Sequence, residues 1–119
     1  MKIIDQYIEL WNERDGIRRR ELIADIWADD GGYVDPLGEA RGPAAIDALI
    51  AGAQQQFPEF VFSLAGPVDT HHDIARFTWE LGPAGGESVV IGSDTAVLAA
   101  DGRLQQVYGF LDKVPASAG

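Results

Sequence analysis

The chain has 119 residues, of which 46% are hydrophobic and 24% charged, a composition typical of one globular domain with a single core. Its net charge is −10, from 19 acidic and 9 basic side chains, so its surface should repel nucleic acids and anionic membranes. Because the sequence contains no cysteine, disulfides, thiolate metal ligands and a cysteine nucleophile are excluded.

Membrane segments and secretion signals are also not expected. No apolar run approaches the roughly 20 residues that a membrane-spanning helix needs. The N-terminus lacks the cationic and then apolar pattern of a signal peptide. We therefore expect a cytoplasmic protein.

Three amphipathic helices are predicted in the first half of the chain. The first carries Tyr7 and Trp11 on one apolar face, at helical spacing. The second runs from about Ile17 to Ala28 and ends at the sequence 29–32, two aspartates followed by two glycines. The third begins at Pro43, a residue favoured at the first helical position, and ends near Phe57.

A short extended segment before the third helix ends in a carboxylate. Tyr33 and Val34 favour a strand, and Pro36 biases Asp35 towards an extended conformation. The turn that follows, completed by Gly38, fixes Asp35 on its other side. Such an aspartate suits a group that points into a cavity. It also suits a turn residue that only accepts hydrogen bonds from nearby backbone amides.

From residue 60 onwards the hydrophobic period changes from helical to two. Strands are predicted at 60–64, 73–81, 88–99 and 103–113. The second of these strands has an inward face formed by Ala75, Phe77, Trp79 and Leu81. Asp94 interrupts the third, although aspartate disfavours strands. The predicted fold is therefore α+β, a cone-like curved antiparallel sheet with three helices on its concave face. We expect one domain over 1–114 and a flexible tail at 115–119.

This order of elements resembles the nuclear-transport-factor-2-like superfamily, over residues 1–113. Within it, the chain is most similar to the branch of ketosteroid isomerase and SnoaL-like polyketide cyclases. Three segments carry the resemblance: QYIELWNERDG, which contains Tyr7; ADDGGYVDPLGEARGPAAI, which contains Asp35; and GSDTAVLAADGR, which contains Asp94.

The resemblance implies a catalytic trio without metal or cofactor. Asp35 would be the base that removes a proton next to a carbonyl. Tyr7 and a protonated Asp94 would donate hydrogen bonds to the enolate oxygen. Each of the three could instead have a purely structural role. Two other functions stay open: a non-catalytic ligand-binding or assembly module, and an epoxide or lactone hydrolase.

An apolar cavity between sheet and helices should bind an apolar small molecule. The side chains expected to line it are Trp11, Trp27, Tyr33, Phe57, Phe60, Phe77, Trp79 and Val107. The opposing interpretation is that these side chains simply fill the core. We also expect a homodimer through the outer sheet face, where Ile74, Tyr108 and Phe110 alternate with the inward residues.

Overall fold

The three predicted helices are present in the computed structural model, which describes residues 1–115. Helix α1 spans Lys2–Asn12, α2 spans Gly16–Ile26 and α3 spans Pro43–Gln56. The side chain of Asp15 caps α2 by accepting from the backbone N–H groups of Ile17 and Arg18. The predicted start of α3 at a proline is confirmed.

Seven strands form one curved sheet that does not close into a barrel. Their bounds are Trp27–Asp35 for β1, Gly38–Arg41 for β2, Phe60–Leu64 for β3, Asp69–His71 for β4, Ile74–Pro83 for β5, Val90–Leu98 for β6 and Leu104–Lys113 for β7. The strand order is β2-β1-β7-β6-β5-β3, and β4 pairs with β5. Strands β1 and β7 run parallel, while the other pairs are antiparallel. The predicted α+β fold, with three helices on a mostly antiparallel curved sheet, is confirmed.

The main difference from prediction lies at residues 27–32. Helix α2 ends at Ile26, and β1 begins at once with Trp27, so the Asp-Asp-Gly-Gly sequence lies inside a strand rather than in a turn. The pairing of β1 with β7 shifts register between Trp27 and Gly32. This irregularity lets exposed Asp29 and Asp30 interrupt an otherwise buried strand. Strands β2 and β4 were also not predicted, because three or four residues are too few to show a period of two.

The concave face carries the polar residue of the predicted trio that lies farthest along the chain. Phe77 on β5, Asp94 on β6 and Gly109 on β7 are register partners, so all three face the helices. The predicted inward set on β5 is confirmed, since all four of its members are buried.

The outer face of the sheet is more exposed. Tyr108 and Phe110 are 45% and 63% exposed, while Ile74 is half-buried. Dimerisation through this face stays a prediction. No helix within residues 1–115 is long and apolar enough to span a bilayer. Apart from Pro115, the predicted tail lies outside the described residues.

Candidate active site

A cavity of about 410 Å³ lies between α1, α3 and the concave face of the sheet. Tyr7, Asp35 and Asp94, predicted from three separate segments, all line this one cavity. Among the predicted lining residues, Trp11, Tyr33, Phe57 and Trp79 are on its wall. The remaining lining residues are Ile8, Leu37, Ala53, Gln56, Phe62, Leu81, Val90, Leu111, Val114 and Pro115.

Four predicted lining residues lie behind the wall. Trp27 and Phe77 pack against the ring of Tyr7, with ring centroids 5.7 and 5.5 Å from it. Phe60 stacks on Phe57 at 5.5 Å, and Val107 is fully buried in the core. The prediction that these four line the cavity is therefore wrong. Periodicity identifies the inward face of an element, but it does not tell which inward side chains reach the cavity.

Some of the missed lining residues had a signal in the sequence. Ile8 shares the apolar helix face of Tyr7, and Leu81 follows Trp79 on the same face of β5. Phe62 lies in the predicted first strand. Gln56, at the end of α3, had no such signal, because only the packing of α3 over the sheet brings its side chain to the cavity.

Asp94 is almost fully buried, at 2% exposure, and accepts two hydrogen bonds. The Tyr7 hydroxyl donates to Oδ2 at 2.7 Å, and the Trp79 indole N–H donates to Oδ1 at 3.0 Å. Burial raises the pKa of Asp94 to about 6, and the nearby charge of Asp35 adds to this, although both hydrogen bonds oppose the rise. In the free protein Asp94 is therefore mostly ionised at pH 7 and mostly protonated well below pH 6.

Asp35 is held by three donors. Its Oδ1 accepts from the backbone N–H groups of Leu37 at 2.8 Å and Gly38 at 3.0 Å. Its Oδ2 accepts from the Tyr33 hydroxyl at 2.7 Å. The backbone contacts are those of a turn aspartate. They coexist with a position on the cavity wall, so the two interpretations of Asp35 are compatible.

The two carboxylates meet beside Gly109. A Cβ atom added to Gly109 would lie 3.0 Å from Asp94 Oδ1, 3.2 Å from the Cβ of Asp35 and 3.3 Å from the Tyr33 hydroxyl. Each carboxylate thus has its own tyrosine, and both pairs approach one point on β7. The charges interact, because Asp35 raises the pKa of Asp94.

Both tyrosines remain protonated donors at neutral pH. Burial raises the pKa of Tyr7, and the charge of Asp94 raises it further. Burial likewise raises the pKa of Tyr33, with additional contributions from Asp94 and Asp35. The site therefore holds two phenol groups that donate and two carboxylates that can accept a proton.

The wall contains no lysine, arginine or histidine among the described residues. Within residues 1–115, no three His, Cys, Asp or Glu side chains come together as a cluster that could hold a metal ion. The polar groups of the wall thus suit proton transfer and hydrogen bonding to an uncharged ligand.

Comparison with known families places the chain. A family model described as the SnoaL-like domain matches residues 4–107. The chain belongs to the SnoaL-like family. This confirms the resemblance to SnoaL-like proteins of the nuclear-transport-factor-2-like superfamily. A search of curated proteins gave no match.

Solved structures of SnoaL-like proteins agree with this fold. A candidate isomerase of the SnoaL-like family from Agrobacterium tumefaciens is 42% identical, with a TM-score of 0.89 over 93% of this chain and 95% of that one. A candidate polyketide cyclase from Sinorhizobium meliloti is 15% identical, with a TM-score of 0.71 over 92% and 94% of the two chains. A SnoaL-like protein of unknown function from Burkholderia thailandensis is also 15% identical, with a TM-score of 0.73 over 92% of each chain. The last two similarities establish the fold alone.

Proposed function

We propose that this SnoaL-like protein binds an uncharged, largely apolar carbonyl compound and catalyses its isomerisation or cyclisation by proton transfer, without a cofactor. One observation carries the proposal: two carboxylates from different strands, each bonded to a tyrosine, converge in a cavity lined by aromatic rings. The Agrobacterium neighbour, named as a candidate isomerase, supports the same reaction class.

Asp35 is the proposed base. Its hydrogen bonds to the turn amides and to Tyr33 fix its carboxylate at the cavity wall, where it can take a proton from the carbon next to the carbonyl. The electron pair of the broken C–H bond then moves onto the carbonyl oxygen and forms an enolate. In an isomerase, Asp35 returns the proton to another carbon. In a cyclase, the enolate carbon attacks a second carbonyl carbon.

Asp94 and Tyr7 are the proposed donors to the enolate oxygen. In the free protein, Asp94 loses its proton above about pH 6. A bound apolar ligand displaces water from the cavity and raises this pKa further, because desolvation disfavours the charged carboxylate. Protonated Asp94 then has a hydrogen to donate. The remaining contacts from Tyr7 and Trp79 keep its side chain in place.

The charge of the site argues for an uncharged substrate. The two carboxylates face the cavity without a cation on its wall. Arg14 lies just beyond the end of α1, but its guanidinium donates to the backbone carbonyls of Gln54, Phe57 and Phe60. A carboxylate or phosphate ligand would meet two like charges, and the net charge of −10 would slow its approach.

Deuterium exchange tests the proposal directly. The bicyclic ketone 2-tetralone is a neutral probe whose protons next to the carbonyl exchange in D₂O, and NMR follows the rate. We expect wild type to accelerate exchange and Asp35→Asn to lower the enzymatic rate by at least about 100-fold. Tyr108→Phe, on the outer sheet face, is the matched control and should keep the rate.

Two results would count against catalysis. One is exchange no faster than in buffer of the same pH, and the other is an Asp35→Asn rate equal to that of wild type. If 2-tetralone binds, as shown by calorimetry, and exchange is not accelerated, the non-catalytic ligand-binding module becomes the better description.

A further inference from the structure

Tyr33 has a role at this site that its position in the sequence does not reveal. Tyr33 and Asp35 are two residues apart on β1, so their side chains project from the same face of the strand. The Tyr33 hydroxyl donates to Asp35 Oδ2 at 2.7 Å, and the tyrosine itself is only 3% exposed. Water therefore does not compete strongly for this hydrogen bond.

The contacts of Asp35 single out one of its oxygens. A carboxylate oxygen has two lone-pair positions. Oδ1 uses both of them for the N–H groups of Leu37 and Gly38. Oδ2 uses one for Tyr33 and keeps the other free. A proton taken by Asp35 therefore goes to Oδ2, the oxygen that Tyr33 holds.

The groups around Asp35 are few. Tyr33 faces it from its own strand, and Asp94 faces it from β6. Tyr7, from α1, is bonded to Asp94. Gly109 on β7 adds no side chain. Within the described residues, Tyr33 is thus the side-chain donor to the free oxygen of the base.

We propose that Tyr33 is the positioning residue of the base: its hydroxyl orients Oδ2 towards the cavity and weakens the affinity of Oδ2 for a proton. This inference rests on the proposed function, since it takes Asp35 as the base. A donor to a carboxylate stabilises the charged form, so removing the donor makes the carboxylate hold a proton more tightly. Asp94 has its own donors and should not respond to this change.

The pH dependence of 2-tetralone exchange, measured as kcat/KM, tests this role. In wild type the acidic limb reports the base and the alkaline limb reports the loss of the Asp94 proton. Tyr33→Phe should move the acidic limb to higher pH by about one unit, the size expected for a hydrogen bond to a charged group. Tyr7→Phe should move only the alkaline limb upward, because Tyr7 donates to Asp94. Tyr108→Phe should move neither limb.

A second variant guards against misfolding of Tyr33→Phe. Placing 3-fluorotyrosine at position 33 keeps the ring and makes the hydroxyl a stronger donor, so the acidic limb should move to lower pH. An acidic limb unchanged in both variants would overturn the role of Tyr33 while leaving the proposed function standing. Absence of exchange by wild type would overturn both.

Discussion

Asp94 on β6 and Gly109 on β7 are register partners, and the missing side chain of Gly109 leaves the space in which the two carboxylates meet. A methyl group there would lie 3.0 to 3.3 Å from atoms of Asp94, Asp35 and Tyr33 at once. The close approach of Asp35 is one cause of the raised pKa of Asp94. The geometry of the pair thus depends on a residue that has no functional group.

Gly109→Ala should damage both stability and exchange activity. Three neighbours would have to move by a few tenths of an ångström to admit the methyl group. Overpacking of this kind costs about 1–3 kcal/mol of the free energy of unfolding. Because the displaced groups are the proposed base and donor, we expect at least about a tenfold loss of exchange rate. Denaturant melts and the 2-tetralone assay would measure the two effects.

Gly52→Ala is the matched control for this substitution. Gly52 lies in α3, and a Cβ added there would have no neighbour within 4 Å. Alanine in a helix interior should raise the free energy of unfolding by about 0.5–1 kcal/mol. If Gly109→Ala were as stable and as active as Gly52→Ala, the tight contact at Gly109 would not matter.

Asp94→Asn should gain stability over wild type as pH rises. The folded-state pKa of Asp94 is raised from 3.8 to about 6, so the folded chain holds this proton more tightly than the unfolded chain does. Wild type therefore loses stability from this group as pH rises from about 4 through 6, and the loss is constant above that. The whole loss is about 3 kcal/mol, and the asparagine variant would avoid it because its side chain does not ionise. Denaturant melts between pH 4 and 8 measure the difference.

An exposed carboxylate gives a control of opposite sign. Backbone and side-chain hydrogen bonds from Arg103 lower the pKa of Asp101, so Asp101 stabilises the fold at higher pH and loses this effect in acid. Asp101→Asn should therefore show the reverse trend. If Asp94→Asn were less stable than wild type at pH 7 by more than about 1 kcal/mol, Asp94 would be an ionised structural partner.

Tyr7→Phe should destabilise the protein more at pH 7 than at pH 4. At pH 7, Asp94 is mostly ionised and loses a charge-assisted donor, which costs roughly 1.5–3 kcal/mol. At pH 4, Asp94 is protonated and the lost hydrogen bond is an ordinary one of about 1 kcal/mol. Chemical denaturation at the two pH values gives both numbers. Tyr108→Phe should change little at either pH, and an equal loss for Tyr7→Phe at both would argue against a charged Asp94.

A homodimer through the outer sheet face is the last prediction. Tyr108 and Phe110 expose large apolar surfaces on a face that bears no helix. A second copy related by a two-fold axis would cover both rings at once. Light scattering after size exclusion should give twice the 12.8 kDa mass at micromolar concentration. Phe110→Glu should give the monomer mass. A monomeric wild type would remove the prediction.

Local chemistry determined most of the framework. The helical spacing of Tyr7 and Trp11, the proline that begins α3 and the alternation along β5 each predicted an element that the structure contains. The turn at Asp35 followed from its proline and glycine neighbours, and its amide contacts are those of a turn aspartate. Such features depend on residues a few positions apart, so the sequence alone reveals them.

Long-range packing decided the site. Trp27 was assigned to a helix, because only its pairing with Leu104 on β7 makes it the start of a strand. Phe77 and Trp79 were equivalent by periodicity, yet one packs behind Tyr7 and the other reaches both the cavity and Asp94. The meeting of both carboxylates beside Gly109 depends on β1 and β6 lying on either side of β7. Local preferences fix where a side chain sits on its own strand, but the order and register of strands distant in sequence determine which side chains come within hydrogen-bonding distance.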